Sequence, residues 1–145
     1  MNRPLLVAGV LCVSVLASPS PAPAQGGPPG DPDLAAVARR IAGMWGGGDL
    51  DAVAALLDSG GVQVQVPGQV GGSLAPRKAR AVLGQVLAAH GTGGIEVVRT
   101  SPAGGTPARG FAELSWSAVP SGTSQVLRYT LFVGLVHGTE GWRIY

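Results

Sequence analysis

The side chains most able to perform acid–base or metal chemistry are two histidines and eight scattered carboxylates in a chain of 145 residues. His90 comes at the end of a helical pattern, where a histidine commonly caps the helix C-terminus. His137 stands beside a predicted turn, where a solvated side chain is the ordinary outcome. Neither histidine has a carboxylate at an interval that a metal site requires. We therefore expect no metal site and no cofactor.

Glu113 is a carboxylate with two open interpretations. It lies in a predicted strand, and Arg128 lies on the next strand, so the two are expected to pair across the sheet. Glu96 and Arg109 are expected to form a second such pair. The alternative for Glu113 is a buried general base, a role that needs a carboxylate held close to the proton that it removes.

Three cations, Arg77, Lys78 and Arg80, occupy the first turn of a predicted helix. Positive charge is unfavourable there, because the aligned peptide dipoles already make this end of a helix positive. One interpretation is an anion site, in which these side chains and the free N–H groups of the first turn face a phosphate or carboxylate. The other is a solvated surface cluster, which is also our interpretation of Arg39 and Arg40.

The N-terminal residues have the pattern of a secretory signal peptide. A short positive segment contains Arg3, an apolar segment runs from residue 5 to residue 16, and Ala22-Pro23-Ala24 is a small-residue cleavage site. About a dozen apolar residues are too few to span a hydrocarbon core ~30 Å thick, which argues against a membrane anchor. We expect residues 1–24 to be removed and the remaining chain to be secreted or periplasmic.

Cysteine usage and charge exclude several classes of function. Cys12 is the only cysteine, and a lipoprotein signal is an alternative there, but Leu11 stands where a small residue is expected. Cleavage after Ala24 leaves no cysteine for a disulfide, a thiolate metal site or a nucleophile. The formal net charge of +2 includes no block of like charges, so nucleic acid is not an expected partner.

After a Gly/Pro-rich tether at residues 25–33, the apolar pattern changes from helical to strand-like. Apolar residues at intervals of three and four predict helices, and alternating apolar residues predict strands. The predicted order is two helices (34–45 and 50–57), a strand (62–66), a loop (68–74), a helix (76–90) and four strands (95–101, 109–119, 125–137 and 142–145). This order is typical of an α+β fold, with helices on one face of a curved antiparallel sheet.

The segments GGGDLDAVAALLDSGGVQVQVPG, LAPRKARAVL and EGWRI, in this order, resemble the nuclear transport factor two-like superfamily. The resemblance covers residues 34–145, and within the superfamily the chain is most similar to a secreted bacterial family of unknown function. It implies a cone, in which three N-terminal helices pack on a strongly bent sheet. Such cones host isomerases, cyclases, dehydratases and plain binding modules, so the fold does not name a function.

The catalytic residues of the steroid isomerase-like members of that superfamily have no counterparts here. Those enzymes place a tyrosine on the first helix and an aspartate directly before the proline that ends the first strand. The matching positions are Ile41 and Val66, or Gln65 if the alignment slips by one residue. The resemblance therefore implies a module that binds a small ligand or another protein, without recognisable catalytic residues.

The expected lining of the cone is largely aromatic. Aromatic side chains can line the mouth of a ligand cavity, although an aromatic core is the ordinary outcome. The candidates for contact with a small apolar ligand are Trp45, His90, Glu113, Trp116 and Tyr129. An isomerase, cyclase or dehydratase acting in the cone is the alternative, with Glu113 paired to Tyr129 or His90.

The strand at residues 125–137 carries apolar residues on both faces. Tyr129, Leu131 and Val133 share one face, and Phe132 and Val136 lie on the other. This pattern predicts that the outside of the sheet is covered by a second copy of the chain or by another protein. The chain ends within the expected last strand, which predicts either a short strand or a chain cut before its natural end.

Overall fold

The first helix, α1, begins inside the segment predicted to be a tether. The computed structural model describes residues 32–66, 71–91 and 93–145, so the predicted signal peptide and most of the tether lie outside the described residues. The elements are α1 (Pro32–Gly46), α2 (Leu50–Ala54), β1 (Val62–Val64), β2 (Gly72–Leu74), α3 (Pro76–His90), β3 (Ile95–Gly104), β4 (Arg109–Ala118), β5 (Leu127–Gly138) and β6 (Gly141–Ile144). No helix in this part of the chain is both long and apolar enough to cross a membrane.

α1 presents a continuous apolar face to the sheet. Leu34, Ala38, Ile41 and Trp45 recur at intervals of three or four residues and are almost fully buried. They pack against β3 and β4. Gly48 follows the helix with a positive φ of 71°, a conformation that costs glycine little and lets the chain turn toward α2.

α2 is shorter than predicted, because the apolar residues after it join the sheet. Asp49 caps the helix by accepting a hydrogen bond from the N–H of Ala52 at 3.0 Å. The helix ends at Ala54, and Leu57 instead forms a parallel bridge with Ile144 of β6. The prediction of a helix to residue 57 is therefore wrong. The last strand is paired on both of its sides.

β1 and β2 form a two-stranded antiparallel sheet separate from the main sheet. Val66 lies beyond the end of β1, and β2 lies within the segment predicted to be a loop, so both of those boundaries differ from the predictions. α3 begins at Pro76 and ends at His90, as predicted, because proline suits the first turn of a helix. Gly91 follows with a positive φ of 66°.

The main sheet is antiparallel, in the order β3-β4-β5-β6. Every second residue of β4 is buried against the helices. We call the opposite side the outer face; it carries Phe111, Glu113, Ser115 and Phe132. Register shifts in β3 interrupt its pairing with β4, and such bulges bend a strand. The predicted α+β fold with a bent antiparallel sheet is confirmed.

Three clusters of buried apolar residues hold the helices to the sheet. The first joins α1 to β4, β5 and β6, the second joins the ends of α1 and α3 to β4, and the third joins α3 to β1 and the segment after α2. Half-buried residues connect them: Ile95 and Leu131 pack on the first and second, Leu83 on the second and third, and Ile144 on the first and third. The clusters therefore form one continuous core.

Candidate functional site

Four of the five predicted cone residues meet in one aromatic cluster, which consists of Trp45, His90, Trp116 and Tyr129. The Trp116 ring lies 5.4 Å from Trp45, 5.5 Å from His90 and 5.5 Å from Tyr129, measured between ring centroids. His90 and Tyr129 are 4.9 Å apart and nearly perpendicular. Edge-to-face and tilted contacts at these distances are favourable for aromatic rings. The residues come from four different elements, so only the tertiary fold brings them together.

The local structure explains how each ring reaches the cluster. Trp45 lies in the last turn of α1, and His90 is the last residue of α3. Trp116 of β4 and Tyr129 of β5 are directly opposite each other in the sheet, on the side that faces the helices. Cross-strand neighbours on one face are close enough for their side chains to touch. The cluster therefore lies between the C-terminal ends of two helices and the end of the sheet where β4 finishes and β5 begins.

The hydrogen bond of His90 determines its tautomer. His90 Nδ1 lies 2.8 Å from the carbonyl oxygen of Val86, one turn earlier in α3. A carbonyl oxygen can only accept, so Nδ1 must carry the proton and donate it. In the neutral ring this leaves Nε2 with a free lone pair. The predicted helix-capping role of His90 is thus compatible with a second polar contact through Nε2.

The cluster has a buried floor and a partly accessible rim. Trp116 is 1 % exposed and Trp45 is 6 % exposed, whereas His90 and Tyr129 are half-buried. The indole Nε1 atoms of Trp45 and Trp116 are enclosed, and no acceptor among the described residues binds them. Buried N–H groups normally have a partner, but the indole N–H of Trp142, outside the cluster, is enclosed in the same way, so this feature is not confined to the cluster.

Glu113, the fifth candidate, lies on the outer face and outside the cluster. Its carboxylate pairs with Arg99 of β3, with Arg99 Nε donating to Glu113 Oε2 at 2.6 Å. The predicted pairing with Arg128 is wrong, because Arg128 lies opposite Ser117. Glu113 and Tyr129 face opposite sides of the sheet, so they cannot act as an acid–base pair in the cone.

The second predicted ion pair is also wrong. Glu96 lies opposite Ser115, and no ion pair joins it to Arg109. Arg109 instead places its guanidinium 5.3 Å from the centroid of the Tyr145 ring, a cation–π contact. The physical reason is that Glu96 and Arg109 lie at opposite ends of the antiparallel β3–β4 pair, since Arg109 is opposite Gly104.

The positions that match catalytic residues of the isomerases hold no catalytic groups. Ile41 is 3 % exposed and packs in the first core cluster. Gln65 and Val66 follow the end of β1. Among the described residues, no group of three His, Cys, Asp or Glu side chains is placed to hold a metal ion.

The three cations of α3 do not converge. Arg80 forms an ion pair with Asp51 at the start of α2. Arg77 and Lys78 are exposed, and no hydrogen bond or ion pair joins them to the described residues. The geometry gives the anion site no support beyond the helix N-terminus itself, and the surface-cluster interpretation accounts for all three.

The chain matches no model of a known protein family and no curated protein. Among solved structures it is similar to a designed protein of the nuclear transport factor two class, with a TM-score of 0.56 and 16 % identity, over 76 % of this chain and 90 % of that one. It is also similar to an M. tuberculosis LEH-like epoxide hydrolase, with a TM-score of 0.49 and 16 % identity, over 81 % of this chain and 84 % of that one. At this identity the likeness to the designed protein shows the fold alone. The chain has the nuclear transport factor two-like fold.

Proposed function

We propose that the protein binds a small, largely apolar molecule at the aromatic cluster, without catalysing a reaction on it. The observation that carries the proposal is the pair of half-buried rings, His90 and Tyr129, which carry polar atoms and pack on the buried Trp45 and Trp116 rings. An aromatic rim offers stacking surface to an apolar ligand. A few polar groups beside such a surface are what orients a ligand in a binding site.

The position of Glu113 argues against a reaction in which this carboxylate acts as the base. Glu113 was the candidate general base, and it faces away from the cluster. His90 Nε2 is an acceptor in the neutral ring, and the phenol of Tyr129 can donate or accept. These two groups suit a ligand that carries one or two hydrogen-bonding atoms on an apolar frame.

The test compares two substitutions three residues apart on β5. Tyr129→Ala removes a ring of the aromatic cluster, and Phe132→Ala removes a ring of the outer face. We expect the neutral probe N-phenyl-1-naphthylamine to become fluorescent on binding, and Tyr129→Ala to weaken its affinity about tenfold, the value of one lost aromatic contact. Phe132→Ala should leave the affinity unchanged. Equal loss in both variants, or loss in Phe132→Ala alone, would contradict the proposal. Circular dichroism checks that both variants fold.

Native mass spectrometry supplies an independent measurement that needs no chosen probe. Protein purified without denaturant is expected to carry a co-purified molecule of low mass, which is released on unfolding. Tyr129→Ala should retain less of it than Phe132→Ala. A wild-type spectrum that shows only bare protein, together with no probe binding, would overturn the proposal.

We also propose that two copies of the chain associate through the outer face. Phe132 is 70 % exposed on this face and has Glu113 opposite it in the sheet. An exposed phenylalanine beside the Arg99–Glu113 ion pair combines apolar surface with complementary charge, which suits a self-complementary interface. Phe132→Asp is expected to shift sedimentation from dimer to monomer. A wild-type protein that remains a monomer over a wide concentration range would rule out this association. The outer face would then be expected to bind another protein.

Residues 1–24 are proposed to direct export through the inner membrane, followed by cleavage after Ala24. The support is the order of a positive segment, a short apolar segment and a small-residue site. In a bacterial expression host, the protein should appear in the periplasmic fraction with Gln25 as its first residue by intact mass. Recovery of the uncleaved chain in the cytoplasm would refute this prediction.

A further inference from the structure

A groove that sequence reasoning missed lies at the opposite end of α1 from the aromatic cluster. It runs between the N-terminal half of α1, the segment after α2 and the β5–β6 hairpin, and its volume is about 420 Å3. Asp33, Val37 and Arg40 line one wall, at the spacing of a single helix face. Trp142, in the first core cluster, and Arg143 line the facing wall. The volume is within the range of small-molecule sites, about 300–1,000 Å3.

Two carboxylates and two guanidiniums line the groove, those of Asp33, Glu140, Arg40 and Arg143. Glu140 is paired with Arg143, whose guanidinium also donates to the carbonyl oxygen of Ala55 at 2.6 Å. Asp33 lies in the first turn of α1, where the helix dipole favours a negative charge, and it has an interaction of its own. Arg40 is exposed, and no ion pair joins it to the described residues. Arg40 is therefore the guanidinium of the groove that is available to an anionic group of a ligand.

The rest of the groove offers an apolar surface beside Arg40. Val37 and Leu56 are half-buried, and the Trp142 ring is 6 % exposed with His137 edge-on to it at 5.1 Å. Apolar side chains beside an arginine suit a molecule with an apolar body and a planar anionic end, since guanidinium binds a carboxylate through two parallel hydrogen bonds.

We propose that this groove binds a small organic carboxylate, with its carboxylate on Arg40 and its apolar part against Val37, Leu56 and the Trp142 ring. The site is separate from the aromatic cluster, because Trp142 packs in the first core cluster whereas Trp45 and Trp116 pack in the second.

The experiment titrates phenylacetate into the protein and follows the three indole N–H signals by proton–nitrogen correlation NMR, since the chain has three tryptophans. Phenylacetamide is the matched uncharged probe. The signal that disappears in Trp142→Phe identifies Trp142. Phenylacetate is expected to shift this signal saturably and to leave the Trp45 and Trp116 signals in place, and phenylacetamide is expected to bind about tenfold more weakly.

Arg40→Gln and Arg39→Gln form the matched pair of variants. Both residues are exposed on α1, but only Arg40 lines the groove. Arg40→Gln is expected to weaken phenylacetate binding about tenfold, the effect of one lost charge-assisted contact, and Arg39→Gln to leave it unchanged. The proposal would be overturned if the two variants had equal effects or if phenylacetamide bound as tightly as phenylacetate. It would also be overturned if the Trp142 signal showed no saturable shift. Tyr129→Ala should not affect this binding, so failure here and failure at the aromatic cluster are distinguishable.

Discussion

At the scale of single residues, Gly93 decides how the chain passes from α3 into the sheet. The backbone there lies so close to β4 that a Cβ atom on Gly93 would overlap the carbonyl oxygen of Ser117. The neighbouring Gly94 accepts a hydrogen bond from the N–H of Ser117 at 2.8 Å, yet a Cβ on Gly94 would meet nothing within 4 Å. Two adjacent glycines therefore have different roles, one in packing and one in hydrogen bonding.

This difference predicts opposite outcomes for two alanine substitutions. Gly93→Ala should destabilise the protein by about 3 kcal/mol or more, because backbone atoms must separate to admit the methyl group. Gly94→Ala should change the free energy of unfolding by less than about 1 kcal/mol. Urea denaturation of both variants measures the effect. A similar cost for the two would show that the close approach to Ser117 is not a constraint.

At the scale of elements, α3 begins without a side-chain cap. Its N-cap residue is Ala75, which has the extended backbone of a cap but no group to accept the free N–H groups of the first turn. Arg77 and Lys78 add positive charge at this end, where the helix dipole is already positive. The start of α3 is therefore less stable than it would be with a capping side chain at residue 75.

A cap at residue 75 should stabilise the protein. Ala75→Ser is expected to raise the free energy of unfolding by about 1 kcal/mol, and Ala75→Asp by more, because the carboxylate also compensates the two cations. The control is Ala81→Ser on the exposed surface of the same helix, which should cost about 0.5 kcal/mol. Thermal denaturation ranks the three variants. A gain from Ala75→Ser larger than that from Ala75→Asp would contradict the electrostatic argument.

At the scale of the whole molecule, the shared side chains of the three core clusters couple the helices to the sheet. Leu131 packs on two clusters, as do Ile95, Leu83 and Ile144. Disruption of one cluster removes contacts from another, so partial unfolding of a single cluster is unfavourable. We infer that the described domain unfolds as one unit.

Leu114→Ala tests this coupling, because Leu114 is 1 % exposed in the first cluster. The substitution should cost about 2–5 kcal/mol, and the unfolding transitions from far-UV circular dichroism and tryptophan fluorescence should still coincide. Measured on the monomer at low protein concentration, Phe132→Ala on the exposed outer face should cost less than about 0.5 kcal/mol. Separate transitions for the two probes would show that the surroundings of the tryptophans, Trp142 in the first cluster and Trp45 and Trp116 in the second, do not unfold together with the secondary structure.

The local pattern of the sequence determined most elements of the fold. The helical spacing of apolar residues predicted α1 and α3, and the alternation in β4 and β5 predicted two long strands with one face toward the helices. It also placed Trp116 and Tyr129 on that face. These features could be predicted because periodicity is a property of neighbouring residues and needs no knowledge of distant ones.

Only the tertiary structure decided which residues face each other. The register shift in β3 places Arg99 opposite Glu113, and the bridge from Leu57 to Ile144 ends α2 early. Periodicity carries no information on either, because strand register depends on contacts between residues far apart in the chain. The same holds for the aromatic cluster and for the groove beside Arg40, which exist because separate elements pack together.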